Sequence, residues 1–305
     1  MKSKQLLITC LWVFLATFQV AAQVEEYPFT YSLGQINITL LPEGGQQGSK
    51  DILIGATDEM LKQYVPEGTF PNAVNAFLLE TPENTILVDA GFGRKLFAHL
   101  ESCNKTPEAI NIILLTHMHG DHIGGLLKDG KKSFPSAILY IPKPEYDYWM
   151  SDQEMQRLPE DRRGGFTQAR RVIDAYKDKL ELFVPGELEG TDHEIVSGIR
   201  GIAAYGHTPG HTAYLLESEG EEYCIWGDLA HAMPIQMPYP QVAVTYDTDP
   251  AKAVESRQRL LKYVADNNVE IGGMHIEYPG MVKIKGNAAD GYRYILTCTC
   301  EGVLR

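Results

Sequence analysis

Nine histidines are spread over 305 residues, and three of them fall within one run of seven, Thr116-His117-Met118-His119-Gly120-Asp121-His122. Neutral imidazole and carboxylate are the donors that divalent transition ions select, so this density of them is metal-binding chemistry, with zinc the most natural ion. His117 and His119 are two apart and face one way if the backbone stays extended. Asp121 and His122 are adjacent, so the same reading sends them apart, toward two neighbouring ions rather than one. Gly120, Gly124 and Gly125 permit a tight turn and close approach of backbones there.

Three later blocks fit the same chemistry. Gly206-His207-Thr208-Pro209-Gly210-His211-Thr212 offers two more imidazoles, and Ile225-Trp226-Gly227-Asp228 places a lone acid after an apolar run. Gly272-Gly273-Met274-His275 ends a short apolar stretch with a histidine. Taken singly, His207 or Asp228 is better explained as a buried residue with an ordinary hydrogen bond. The Gly-His-Thr-Pro-Gly-His block is specific enough to reverse that reading. His275 gains weight only as the missing ligand of a second ion.

These blocks must be presented by strands. Residues 112–115, Ile-Ile-Leu-Leu, are apolar throughout, as a central buried strand requires, and they lead directly into Thr116. Residues 137–141 and 199–205 read as further strands. Hairpins are expected at 74–89, around a turn at 81–84, and at 212–226, around a turn at 218–221. Asp249-Pro250 opens a helix whose face carries Val254, Leu261 and Val264. Residues 166–176 read as a second helix, and 281–285 and 292–297 as late strands. Alternating strands and helices of this kind predict a layered α/β domain over residues 23–305.

The first 22 residues read as a signal peptide. Lys2 and Lys4 precede an apolar run over 6–20, and Ala21-Ala22 supplies small residues for cleavage. The expected destination is the periplasm or the exterior, with no stable membrane insertion after cleavage. Four cysteines remain, Cys103, Cys224, Cys298 and Cys300, too few for a disulfide scaffold. Cys298 and Cys300 would share one face of a strand, a poor geometry for pairing with each other, and Cys224 reads as a buried small hydrophobe. With 27 Lys and Arg against 40 Asp and Glu, the formal charge of −13 repels phosphate backbones. The expected partner is therefore a small-molecule substrate and not a nucleic acid.

The run T-H-x-H-x-D-H, the G-H-T-P-G-H block, Gly227-Asp228 after a strand and the late His275, in this order, resemble the metallo-β-lactamase superfamily over nearly the whole chain after residue 22. The resemblance implies an αββα sandwich with its metals in a cleft at one edge of two sheets. It implies two divalent ions, zinc first, with manganese, cobalt and iron also accepted by such a ligand set. His117, His119 and His207 would hold one, Asp121, His122 and His275 the other, and Asp228 would bridge them. Two such cations acidify a shared water and polarise a substrate carbonyl or phosphoryl oxygen. Asp121 and Asp228 are the implied catalytic carboxylates, and Asp228 could also relay a proton to the leaving group. Asp89, in Leu87-Val88-Asp89-Ala90-Gly91, matches the acid that orients a ligand imidazole, and Thr116 and His211 are candidates for similar support.

A narrower resemblance rests on Trp226-Gly227-Asp228-Leu229-Ala230-His231, Tyr246-Asp247-Thr248-Asp249-Pro250 and His275-Ile276-Glu277-Tyr278-Pro279-Gly280. These look like the methyl parathion hydrolase group, dinuclear phosphotriesterase-like enzymes of which some act on lactones and esters, and among which dimers are common. Tyr278 departs from the group's usual Phe. Trp149 and Phe166 stand where that group walls its substrate cleft with aromatics. The expected activity is hydrolysis of an ester, lactone or phosphotriester. A β-lactamase is disfavoured because those enzymes lack the bridging acid that Asp228 supplies. A glyoxalase-type thioesterase needs a C-terminal helical region, and the 30 residues after His275 read as strand. Nuclease members carry an extra domain and a basic surface, and electron-transfer members a flavin domain. A non-catalytic metal-binding member would be expected to have lost ligands, and this set is complete.

Overall fold

Residues 76–79, Ala-Phe-Leu-Leu, and 86–88, Ile-Leu-Val, are apolar at every position because both faces of their strands are buried. Phe77 and Val88 point to one side, and Leu78 and Leu87 to the other. That double burial needs a layer on each side, and the computed structural model, which describes residues 26–189 and 194–297, supplies both. The expected signal segment 1–22, Cys298 and Cys300 lie outside the described residues.

One sheet contains β1 (Phe29–Leu33), β2 (Ile36–Ser49), β3 (Thr69–Glu80), β4 (Thr85–Val88), β5 (Ile112–Leu114), β6 (Ile138–Pro142) and β7 (Leu180–Phe183), in chain order across the sheet. Successive pairs are antiparallel as far as β4 and parallel from β4 to β7. The other sheet holds β8 (Glu194–Val196), β9 (Ile199–Ala203), β10 (Thr212–Ser218), β11 (Glu221–Ile225), β12 (Glu270–Gly272), β13 (Met281–Asn287) and β14 (Gly291–Leu296). Only its β11–β12 pair is parallel. Parallel neighbours require crossovers; the β5–β6 connection carries the histidine run, and full helices supply the others. These are α1 (Leu96–Ser102) after β4, α2 (Lys143–Met150) and α3 (Gly164–Tyr176) after β6, and α4 (Pro250–Asp266) after β11.

Three apolar interfaces bind the layers. Phe77, Val88, Leu114, Tyr214 and Ile225 meet between the sheets. Leu78, Leu87 and Ile113 pack outward with Leu100, Phe166 and Val172. Leu215, Cys224 and Ile271 pack outward with Leu260, Leu261 and Val264. The arrangement is the αββα sandwich expected from the motifs. Each of these large apolar side chains contributes about 1.5–3 kcal/mol by leaving water.

The sequence expectation for α4 needs one correction. Asp249 caps it, accepting from Lys252 N at 3.0 Å, and Pro250 opens it. Its inward face, however, is Ala253, Ser256, Arg257, Leu260, Leu261 and Val264, while Val254 lies at the edge. A charged residue reads as exposed in a pattern. Arg257 is buried because its guanidinium donates to the carbonyls of Leu229, Pro240 and Val242 at 2.7–2.9 Å. The length of β2 was also illegible, since Gly44-Gly45-Gln46-Gln47-Gly48 carries no strand signal. It pairs with β3 as far as Ser49, and its end overhangs the histidine cluster. Cys103 and Cys224 are free thiols, the latter buried as expected.

Candidate metal centre

Four strand exits converge on one edge of the sandwich. β5 leads to His117 and His119, β9 to His207, β11 to Asp228 and β12 to His275. After His119 the chain turns through one helical turn, Gly120–Ile123. Just beyond that turn the chain packs against residues 90–93 so closely that a Cβ at Gly125 would lie 2.4 Å from the Ala90 carbonyl oxygen. Glycine is required there by contact.

His117 Nε2 and His207 Nε2 each lie 3.0 Å from His119 Nδ1. On the far side of Asp228, the donors of Asp121, His122 and His275 form a second group, with His275 Nε2 3.6 Å from Asp121 Oδ2. Asp228 stands between the two groups. Its Oδ2 is 3.2 Å from His207 Nε2, 3.0 Å from His275 Nε2 and 3.6 Å from His117 Nε2, and its Oδ1 is 3.2 Å from His122 Nε2. Asp121 and His122 thus converge, 3.8 Å apart, against the expectation that adjacent residues diverge. The helical turn, which replaces extended backbone at this point, is the reason.

The second ring nitrogen of most of these imidazoles is already engaged. His122 Nδ1 pairs with Asp89 Oδ2 at 2.7 Å, and His207 Nδ1 with Asp247 Oδ1 at 3.0 Å. His275 Nδ1 meets the Ala73 carbonyl at 2.7 Å and Asn72 Oδ1 at 3.1 Å. Thr116 donates its hydroxyl to Asp89 Oδ2 at 2.7 Å, which leaves its oxygen to accept from His117 Nδ1 at 3.1 Å. Each of these rings therefore turns Nε2 inward, toward Asp228 and the neighbouring donors. His211 is different. Its Nδ1 donates to the Ala204 carbonyl and its Nε2 accepts from the Asp228 backbone N–H, so both nitrogens are spent. It supports Asp228 and is not a ligand.

The charges follow from burial and neighbours. Burial, then nearby imidazoles, push His119 and His211 down to about 3, and burial with His275 pushes His231 down to about 4. These rings are neutral at pH 7. Burial also opposes charge on His207, but hydrogen bonds to Asp228 and Asp247 outweigh it and raise the group to about 9. Burial opposes ionisation of Asp228, and the surrounding imidazoles, His122 foremost, outweigh it and hold the carboxyl well below its ordinary value.

The donor set fits divalent cations. His119 Nδ1 has two further imidazole nitrogens 3.0 Å away, an arrangement suited to a cation in their midst. A tetrahedral ion with bonds of about 2.0–2.1 Å separates its ligand atoms by roughly 3.3 Å. His122 Nε2 and Asp228 Oδ1, 3.2 Å apart, are buried and form no well-aligned hydrogen bond, which suits atoms that both face a cation.

A cleft of about 610 Å³ opens over the cluster. It is walled by Gln46, Gln47, Ser49, Ile52, Asn72 and Tyr246, with His231 on its floor. Trp149 and Phe166, expected to wall the cleft, do not line it. Both are buried in the layer between the first sheet and its helices, 5% and 1% exposed. Trp149 packs edge-on behind His119, ring centroids 5.9 Å apart, and Phe166 packs on Trp149.

Three contributors had no assigned role in the sequence. Asp247 and His231 sit inside strings that carried the narrower resemblance, and that was the available signal. His231 Nε2 lies 3.1 Å from Asp228 Oδ2, and its ring stacks on His275 at 4.5 Å. Glu145, buried beneath the histidine loops, had no local signal at all.

A family model described as the metallo-beta-lactamase superfamily matches residues 69–275. Among solved structures, a hydrolase of the beta lactamase superfamily, AbOPH, is 28% identical with a TM-score of 0.80, covering 89% of this chain and 98% of that one. AidC, a dizinc quorum-quenching lactonase solved with the product N-hexnoyl-L-homoserine, is 26% identical with the same TM-score and the same coverage. The uncharacterized protein YobT of Bacillus subtilis is 23% identical over 199 residues, 61% of this chain and 77% of that protein.

Proposed function

This chain belongs to the metallo-beta-lactamase superfamily, and on that footing we propose that it is a two-metal hydrolase of a lactone, an ester or a phosphotriester. The observation that carries the reading is Asp228, whose carboxylate contacts both groups of donors, His207 on one side and His122 and His275 on the other. His117, His119 and His207 would hold one ion, Asp121, His122 and His275 the other, with Asp228 shared. The likeness to a dizinc lactonase supports zinc and supports a lactone or other ester. The methyl parathion hydrolase-like strings keep a phosphotriester in the same proposal.

When bound, such ions supply Lewis acidity and lower the pKa of water. The protein's own contribution is orientation and proton handling. Asp89, Asp247, Thr116 and the Ala73 carbonyl fix the rings so that Nε2 faces inward. His211 fixes the backbone of Asp228. His231 has its Nδ1 buried and unpartnered, so its proton sits on Nε2, shared with Asp228 Oδ2. It lines the cleft, where that bond holds the Asp228 carboxylate, which can take a proton from the attacking water and pass it to the departing oxygen. Gln46, Asn72 and Tyr246 offer neutral polar contacts to the rest of the substrate.

The test is metal content by elemental analysis together with hydrolysis of a panel of lactones, aryl esters and phosphotriesters. Two ions per chain and turnover of at least one class support the proposal. We also propose export, from the lysine-led apolar segment 1–22, and a homodimer. N-terminal sequencing of the exported fraction and sedimentation of the purified protein test these.

A further inference from the structure

Glu145 lies in the first turn of α2 and is fully buried. Its carboxylate accepts four hydrogen bonds, all from uncharged donors. Oε1 accepts from Met118 N at 2.9 Å and Trp149 Nε1 at 2.5 Å, and Oε2 accepts from Thr208 Oγ1 at 2.6 Å and Gly210 N at 3.0 Å. Burying a carboxylate with no cation beside it is costly. A glutamine would be cheaper, but three of the four partners are N–H groups that can only donate. A carboxylate alone can accept from all of them.

The positions of those donors matter. Met118 stands between His117 and His119, so its fixed N–H holds the chain extended where both rings must face one way. Thr208 follows His207, and Gly210 precedes His211. The contact at Gly210 is so close that a Cβ there would lie 2.1 Å from Glu145 N. One side chain therefore ties the exit of β5, in the first sheet, to the exit of β9, in the second. Its bonds reach the loops of His117, His119 and His207, while His122 and His275 are held by Asp89, Asn72 and Ala73.

We propose that Glu145 is a positioning residue that sets the spacing of the His117–His119–His207 group, and through it the affinity of one of two metal ions. The proposal rests on the two-metal reading above. It needs the ions to differ in their dependence on Glu145, which a general weakening of the fold would not produce.

The experiment is a zinc titration of chelator-stripped protein against a chromophoric chelator. Wild type takes up two equivalents; fewer than two would mean that the two-metal reading has failed, separately from Glu145. With two established, Glu145→Gln weakens one equivalent by about 10–100-fold and leaves the other unchanged. In a His119→Ala background, where that group is already broken, Glu145→Gln adds nothing to the remaining equivalent. Thr208→Val removes one donor and keeps the carboxylate; it weakens the same equivalent by a smaller factor, and it decides the matter if near-UV circular dichroism shows Glu145→Gln unfolded. Equal weakening of both equivalents, wild-type affinity in Glu145→Gln, or an unchanged affinity in Thr208→Val where that variant must decide, overturns the proposal.

Discussion

The backbone N–H of Asp228 donates to His211 Nε2 at 2.8 Å, and this bond aims the carboxylate that faces both groups of donors. Asp228 follows Gly227, whose φ of +61° and contact with the His211 ring leave no room for a side chain. His211 is thus the support on which the Asp228 carboxylate rests.

His211→Ala should orphan the Asp228 N–H in a buried place. The expected cost is about 1–3 kcal/mol, read from urea unfolding of chelator-stripped protein. Turnover of the metal-loaded variant should fall as well, because Asp228 loses its fixed direction. Unchanged stability and unchanged turnover would remove His211 from the account.

The buried rings also predict a pH profile for the stripped protein. His119, His211 and His231 are lowered to about 3, 3 and 4 from an ordinary 6.5, so the fold favours their neutral forms. The stability they contribute is present above pH 6.5 and is lost as pH falls toward those values. His207 has the opposite sign. Raised to about 9, its contribution is complete below 6.5 and is lost as pH rises through 9. The urea midpoint should therefore be highest near pH 6.5 and lower on both flanks. A midpoint that climbs steadily from acid to alkaline pH would contradict these assignments.

Much of this site could be read from local strings, and what could not has a physical reason. His117, His119, Asp121 and His122 lie within six residues, so their density alone signals chemistry. Asp228 and His275 are single residues whose meaning depends on strands meeting at one edge, and there the ordered resemblance supplied what spacing did not. Adjacent Asp121 and His122 were expected to part because an extended chain was assumed through Gly120; the helical turn reverses that. Trp149 shows the limit of analogy, since an aromatic position transfers without its exposure. Glu145, and Arg257 in α4, are charged residues in the interior, held by donors or acceptors from distant segments. No pattern within a few residues reports such partners.

The burial of Trp149 and the exposure of Tyr246 make opposite predictions. Trp149→Phe keeps most of the ring but removes the Nε1–H bond to Glu145, so stability should fall by about 1–3 kcal/mol while KM stays near wild type. Tyr246, 53% exposed at the cleft, should behave in reverse. Tyr246→Ala should raise KM several-fold with little change in melting temperature. Steady-state kinetics and thermal unfolding of the two variants separate the roles, and a raised KM in Trp149→Phe alone would return that residue to the cleft wall.

The central claim is tested most directly by counting ions against turnover in wild type and Asp228→Ala. Wild type should carry two divalent ions per chain and lose hydrolysis when stripped, and Asp228→Ala should retain no more than one ion and lose at least about 100-fold in kcat, the scale expected when a ligand shared by two ions is removed. Full activity in stripped protein, or two ions and normal turnover without the Asp228 carboxylate, would contradict the account.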